Sequence, residues 1–220
     1  MIKAETGQKA PLFIVSDWVQ GAPVNFDRLS KKVVLVEVFQ VNCPGCFLYA
    51  LPQAIELHQR YADSGLIVLG IATAFEDFEL NTLANLQKLV SSNEVIGETY
   101  RRLSQHGLLH DGRLPYTIPF PLAMDKLIKR EQAVSREEAI AFINEHFPAF
   151  DQQPETYRQQ IINQVGAYLE KQIYRPQTFE LFGLKGTPSH MIVDKQGVLR
   201  DCHFGVDDAL ESRVQQLLNE

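Results

Sequence analysis

Two cysteines, Cys43 and Cys46, stand where an apolar, β-branched run gives way to a helical pattern. The run over residues 31–41 is almost continuously apolar, which predicts a strand buried on both faces of a mostly parallel sheet. Apolar residues then recur at helical spacing over residues 44–62, and a second buried strand is predicted over residues 66–75. Strand, helix and strand in this order form a βαβ unit, so the CxxC pair is constrained to a strand-to-helix turn of a sheet.

The rest of the chain carries further sheet and helix patterns, and its length of 220 residues favours a single domain, residues 1–220, that carries an insertion. The predicted elements are a helix over residues 79–104, a strand over 119–125, two strands over 189–204 and a helix over 207–218. Residues 126–180 are predicted to be a helical insertion, because Ser135 begins a capping box and residues 156–173 place apolar side chains along one helical face.

Composition and charge exclude several classes of function. A net charge of −6 argues against a nucleic-acid binder, which would need a basic face. No stretch approaches the roughly 18 apolar residues that a membrane span requires, so no membrane insertion is expected. The N-terminus also lacks the apolar run of a secretory signal, which makes the cytoplasm the expected location, or the periplasm if a signal peptide has been removed.

The cysteine pair has the spacing of a redox couple. A cysteine at the start of a helix is a candidate nucleophile, because the partial positive charge there lowers the pKa of the thiol. Cys46 comes one turn after Cys43, close enough to attack a mixed disulfide on Cys43 and release a reduced substrate. Pro44 and Gly45 start the helix and add little bulk over the sulfurs. Three cysteines in all are too few for a disulfide framework, so the pair is predicted to be redox-active or metal-binding.

Three motifs together suggest a family. They are CPGC at residues 43–46 after a buried strand, GTPS at 186–189 before another, and VDKQG at 193–197 at a predicted hairpin. They resemble the thioredoxin superfamily, in particular its TlpA-like and redoxin (AhpC/TSA-like) branch, and residues 10–39 resemble that branch too. The resemblance implies an α/β thioredoxin-like fold: a central mixed sheet flanked by helices, with extra N-terminal strands and a helical insertion before the cis-proline loop.

The same resemblance implies roles for particular residues. Cys43 would be the attacking thiol and Cys46 the resolving thiol, with Pro44 and Gly45 between them at the substrate-facing turn. Pro188 would be a cis-proline, and the backbone at Thr187 would pair with an extended protein substrate. The partners implied are protein disulfides or thiols and a recycling reductant or oxidant, and neither a metal nor an organic cofactor is expected.

Glu37 is a further candidate, because it lies six residues before Cys43, where thioredoxins carry a buried acid. It is the only charged residue of an apolar strand, and a buried carboxyl has a raised pKa that suits proton exchange with Cys46. The competing interpretation is an edge position open to water.

Two departures from the family pattern bear on the site. Asn42 stands in place of the usual tryptophan before the first cysteine. Pro52 comes one residue later than the usual helix-kinking proline, which predicts a bulge in the helix or an altered partner surface.

Three alternatives to disulfide exchange remain open at this stage. A peroxiredoxin-like peroxidase would place Cys46 at the peroxidatic position, but Phe39 and Cys43 then replace the expected proline and threonine. A zinc or copper site could draw on Cys43, Cys46, Cys202 and His203, but a second CxxC or HxxxH is absent. The third alternative is a non-catalytic module that binds a partner through the insertion. His190 is expected to be a packed or solvent-facing strand residue.

Overall fold

The computed structural model describes residues 3–220, apart from the side chains of residues 145 and 146. The strands are β1 (Val15–Gln20), β2 (Val33–Phe39), β3 (Leu66–Ala72), β4 (Leu122–Asp125), β5 (Leu127–Lys129), β6 (Tyr174–Pro176), β7 (Ser189–Val193) and β8 (Leu199–Phe204). The α-helices are α1 (Leu51–Tyr61), α2 (Leu83–Ser92), α3 (Gly97–Gln105), α4 (Arg136–His146), α5 (Glu155–Lys171), α6 (Gln177–Leu181) and α7 (Leu210–Asn219). The described chain divides into two compact units, of which the smaller is Ile128–Arg175 and the larger comprises the segments before and after it.

The larger unit is built on a six-stranded mixed sheet with the order β1-β4-β3-β2-β7-β8. Strands β2 and β3 are parallel, as are β3 and β4, whereas β1, β7 and β8 run antiparallel to their neighbours. All seven residues of β2 are buried, because this strand lies at the centre with helices and loops packed over both faces.

Alternation along β2 divides the core of the larger unit into two clusters. Leu35 and Phe39 point into the cluster that contains the buried faces of α1, α2, α3 and α7. Val34 and Val36 point to the other face, where they pack with α6 and the N-terminal aromatic residues. Glu37 therefore lies on the face that α1 and α7 cover.

The smaller unit has a core of its own. Its helices α4 and α5 pack around buried apolar side chains, and the short strands β5 and β6 form a two-stranded sheet. Ser135 accepts a hydrogen bond from the Glu138 N–H, which is the N-terminal half of the predicted capping box. The unit falls within the segment predicted to be an insertion.

One carboxylate ties the two chain segments of the larger unit together, close in sequence to the points at which the chain leaves and re-enters that unit. Asp125 ends β4, and its Oδ1 accepts a hydrogen bond of 2.8 Å from the Thr178 N–H. Its Oδ2 accepts from Thr73 Oγ1 at 2.8 Å and from the Phe179 N–H at 3.1 Å. Burial raises the pKa of Asp125 to about 6, although these hydrogen bonds favour the ionised form.

The prediction of one helix over residues 79–104 is wrong. The chain forms two helices, since Asn93 has a left-handed backbone (φ 55°) that ends α2. Gly97 (φ 54°) then starts α3. The N-terminal segment contributes the strand β1 and an isolated bridge between Lys9 and Val198.

Candidate active site

Cys43 and Cys46 form a disulfide just beyond the carboxyl end of β2. Their Cα atoms are 5.4 Å apart, and the Cys46 N–H donates to Cys43 Sγ at 3.3 Å. Cys43 is partly exposed, whereas Cys46 is fully buried with 0% of its surface accessible. A substrate sulfur therefore has access to Cys43 but not to Cys46.

The turn that carries the disulfide is a π-helix, Cys46–Ala50, which leads into α1. The Leu51 N–H bonds the carbonyl of Cys46, five residues back. Pro52 has no N–H, so a regular α-helical bond to the carbonyl of Leu48 cannot form, and the wider turn accommodates that loss. The bulge predicted from the position of Pro52 is confirmed.

The loop before β7 lies against the start of this helix. The Thr187–Pro188 peptide bond is cis. A Cβ atom built on Gly45 would lie 3.7 Å from Pro188 Cδ, so the glycine places the helix start next to the proline ring. Thr187 Oγ1 donates to Gln40 Oε1 at 3.3 Å, which fixes the loop to the end of β2. Thr187 and Pro188 are predicted from the sequence as substrate-docking residues, whereas Gln40 is not, because its partner Thr187 is far away in the chain.

Asn42, the residue in place of the usual tryptophan, connects three segments around Cys43. Its N–H donates to Asn81 Oδ1 at 2.9 Å, and its Nδ2 donates to Asp77 Oδ2 at 2.8 Å. Its Oδ1 accepts from the Glu98 N–H at 2.7 Å, at the start of α3. A Cβ atom on Gly97 would collide with that oxygen, which accounts for the glycine there.

Glu37 is buried at the centre of the sheet with 1% of its surface exposed, so the interpretation as a water-exposed edge residue is wrong. Its Oε1 has no hydrogen-bond partner among the residues that the structure describes. Burial raises the pKa of Glu37 well above its usual range. The carboxyl lies on the sheet face that α1 covers, as a proton acceptor for Cys46 would require, and this role stays a prediction.

A polar cluster surrounds His190 on the same face of the sheet. His190 is 3% exposed, and its Nε2 lies 3.3 Å from Asp207 Oδ2. Arg213 bonds both Asp207 and Asp201. His190, Asp201 and Asp207 form the one group of three potential metal ligands found in the described part of the chain, but a guanidinium already bridges its two carboxylates. The donor set therefore fits an ion-pair network better than a cation site.

Cys202 lies on the other face of the sheet from the disulfide. It pairs with Met191 across β7 and β8, and it packs in the cluster opposite the one that contains Cys43. Burial, with a smaller contribution from Asp201, raises the pKa of the Cys202 thiol to about 12. A metal site that combines Cys202 with Cys43 and Cys46 is excluded by this placement.

Solved structures supply the comparisons for this chain. A thiol-disulfide isomerase from Corynebacterium glutamicum is 27% identical, with a TM-score of 0.58, and the match covers 96% of this chain and 97% of that one. A thioredoxin-like superfamily protein is 22% identical, with a TM-score of 0.57, over 97% and 98% of the two chains. A putative thiol:disulfide interchange protein DsbE from Chlorobium tepidum is 16% identical, with a TM-score of 0.51, over 98% and 99%.

No protein-family model matches the chain. No curated protein matches its sequence either. The structural matches confirm the predicted thioredoxin-like fold. No helix in the described residues is long and apolar enough to cross a bilayer.

Proposed function

We propose that this thioredoxin-like chain is a thiol-disulfide oxidoreductase that exchanges disulfides with protein substrates. The observation that carries the proposal is the asymmetric disulfide: Cys43 is partly exposed at a helix start, Cys46 is buried, and the cis-Pro188 ring lies next to Gly45, between the two cysteines in the sequence. A disulfide with a purely structural role would not need one accessible sulfur close to the cis-proline loop. The thiol-disulfide isomerase among the structural matches supports the same assignment.

In the reducing direction, the Cys43 thiolate attacks a substrate disulfide and forms a mixed disulfide, and one substrate sulfur leaves as a thiol. The Cys46 sulfur then attacks Cys43, which releases the second substrate thiol and closes the Cys43–Cys46 disulfide. Two electrons pass from the protein dithiol to the substrate, and an external dithiol must return them. The exposed Tyr49, 56% accessible, stands on the same π turn as Cys46 and provides an apolar surface for the substrate chain.

Glu37 takes the role of proton acceptor in this scheme. Cys46 is a nucleophile only as a thiolate, and a base on its own side of the sheet removes the proton without water entering the core. Burial raises the pKa of the Glu37 carboxyl, so it holds a proton at pH values at which an exposed glutamate is ionised.

The burial of Cys46 argues against the peroxidase alternative, because the sulfur at the peroxidatic position would have to meet peroxide in solution. A non-catalytic binding module would not need a partly exposed cysteine that is disulfide-bonded to a buried one. A trap variant separates this module from an enzyme. Cys46→Ser should accumulate mixed disulfides on Cys43 with cellular proteins, and Cys202→Ser, as the control, should not.

The first experiment is to measure the Cys43–Cys46 reduction potential by equilibrating the protein in graded glutathione or dithiothreitol buffers and counting free thiols by mass spectrometry. We propose a cytoplasmic location. A reduction potential of about −270 mV would indicate a reductant and support that location, whereas a potential of about −120 mV would indicate an oxidant and contradict it. Absence of any reversible two-electron couple would overturn the proposed function.

A further inference from the structure

We propose that His190 is a positioning residue for proton transfer, which conducts the proton of Glu37 toward Asp207 and the solvent during disulfide exchange. The proposal rests on the proposed function and adds a path that the cysteine chemistry needs. It is carried by the strand register, by a buried Glu37 oxygen without a hydrogen-bond partner among the described residues, and by a chain of charged groups that ends at the surface.

The register places the two side chains together. Glu37 on β2 and His190 on β7 are directly opposite each other in the antiparallel ladder. Opposed residues point to the same face of a sheet, with Cβ atoms roughly 4.5–5.5 Å apart. Both side chains therefore lie under the helices that cover this face, beside Phe39 and Ile192 of the same cluster.

The polar atoms of the pair differ in what lies next to them. Within the described residues, Glu37 Oε1 is buried without a hydrogen-bond partner, whereas His190 Nε2 makes no hydrogen bond but lies 3.3 Å from Asp207 Oδ2. An unpaired buried oxygen costs free energy, so a fold that keeps one on the strand position opposite an imidazole requires an explanation. A transient hydrogen bond from the Glu37 carboxyl to the other nitrogen of the His190 ring during proton transfer provides one.

The path continues from His190 to the surface. Its Nε2 is 3.3 Å from Asp207 Oδ2, which Arg213 also contacts. Arg213 reaches on to Asp201, and the side chains of Arg213 and Asp201 are 35% and 25% exposed. His203 of β8 stacks on His190 with ring centroids 5.3 Å apart. The charged and titratable groups that act on His190 are Asp207, His203, Asp201 and Arg213. Glu37 lies opposite His190 on β2, and Gln53 of α1 donates its neutral side-chain amide to the Asp207 carbonyl.

The protonation states suit a relay. Burial lowers the pKa of His190 to about 4, against the opposing effect of Asp207, so the imidazole is neutral at pH 7. Burial also acts to raise the pKa of Asp207, but the Ala209 N–H and Arg213 outweigh it and hold that pKa below its usual range. Asp207 is thus an ionised acceptor.

The balance of protons explains why a relay is needed. Glu37 holds a proton when its pKa is raised, so it can accept the Cys46 proton only as it releases its own. A neutral imidazole accepts a proton on one ring nitrogen while it gives one up from the other, and it carries no net charge before or after. The Cys46 proton thus moves to Glu37, the former Glu37 proton moves through His190, and the Cys46 sulfur is free to form the bond to Cys43.

The test is a stopped-flow reaction of the reduced full-length protein with a chromogenic aromatic disulfide. Attack by Cys43 releases the first aromatic thiol, and resolution by Cys46 releases the second. His190→Gln should slow only the second phase, by about tenfold, which is less than the roughly hundredfold minimum expected of a direct acid or base. The matched control is His203→Gln, which replaces the stacked histidine and should leave both phases at the wild-type rates.

A double-mutant cycle distinguishes a relay from a structural defect. Glu37→Gln should slow the second phase, and adding His190→Gln should then change nothing further, because the relay has lost the group it serves. The reduction potential should be the same in His190→Gln and the wild type. A wild-type second phase in His190→Gln, additive losses in the cycle, or slowing of both phases would overturn the proposal.

Two further results complete the test. If His190→Gln does not fold, His190→Asn carries the same experiment. A wild-type protein without any second phase would instead show that Cys46 does not resolve mixed disulfides, which is a failure of the proposed function and not of the relay alone.

Discussion

Glu37 and Asp125 are two buried carboxyls of one sheet whose surroundings are opposite. Asp125 accepts hydrogen bonds from the Thr73 hydroxyl and from the N–H groups of Thr178 and Phe179. Glu37 Oε1 has no such partner in the part of the chain that the structure describes. Burial raises both pKa values, so the pKa alone does not separate the two residues. The hydrogen bonds do: donors that surround a carboxylate mark a structural group, whereas an unpaired buried oxygen on the same sheet face as the disulfide marks a group available for proton transfer.

The largest expected effect comes from removing the satisfied carboxylate. Asp125→Ala leaves three buried donors without their acceptor, and we expect the free energy of unfolding to fall by about 3 kcal/mol. Urea denaturation at pH 7 measures the loss. The control is Asp17→Ala, because Asp17 is an exposed carboxylate on β1 and its replacement should be nearly neutral. An unchanged denaturation midpoint in Asp125→Ala would show that the stability of the fold does not depend on the hydrogen bonds of this residue.

Removing the unpaired carboxyl should have the opposite pattern. We expect Glu37→Gln to slow resolution by Cys46 by about 10²-fold, while the free energy of unfolding stays constant or rises. Stopped-flow kinetics and denaturation on the same preparation measure both. Glu37→Asp keeps a carboxyl and should recover part of the rate. If Glu37→Gln lowered the free energy of unfolding as much as Asp125→Ala, Glu37 would be a structural residue like Asp125.

The pH dependence sharpens the contrast. A carboxyl whose folded-state pKa is raised favours the folded state when protonated, so its contribution is present at low pH and is lost as the pH rises toward the folded pKa. The wild type should lose stability relative to Glu37→Gln from about pH 4.5 upward, by at most about 1.4 kcal/mol per pH unit. Paired denaturation curves across the pH range give this difference. A constant difference would mean that burial does not perturb Glu37.

The smallest expected effect tests one donor of Asp125. Thr73→Val removes the hydroxyl that bonds Oδ2 and keeps the side-chain shape, and we expect a loss of about 1 kcal/mol, since two donors remain. Thermal or urea unfolding measures it, with the exposed Thr117→Val as the matched control. If Thr73→Val lowered the free energy of unfolding as much as Asp125→Ala, most of the stabilisation by Asp125 would come from its hydrogen bond with the Thr73 hydroxyl.

The sequence was most informative where the pattern is local. Each strand and helix of the βαβ unit follows from the pattern of its own residues. The cysteine turn and the bulge before Pro52 likewise follow from residues that are close in the sequence. The break between α2 and α3 was missed because it depends on Asn93 adopting a left-handed backbone, which most asparagines do not adopt. A single residue with two accessible conformations gives no periodic pattern from which to predict a helix end.

The parts of the site that could not be predicted are those made by contacts between distant segments. Gln40 meets Thr187 only after β2 and the cis-proline loop have come together. Asn42 was recognised as a departure from the family, but its bonds to Asp77 and to the start of α3 depend on the loops between them. His190 likewise acquires its environment from α7 and the loop before it, and the strand pattern alone gave no indication of this.

The hydrogen bonds of Asp125 also have a consequence for how such a protein can diversify. The chain leaves the larger unit after Leu127 and returns at Pro176, and the Gln177 N–H bonds the carbonyl of Lys126 at 2.9 Å. Because the two chain segments are bonded to each other where the chain leaves and returns, a change in the length of the 128–175 segment should not shift the register of the sheet. The sheet that carries the Cys43–Cys46 disulfide should therefore tolerate insertions and deletions in that segment.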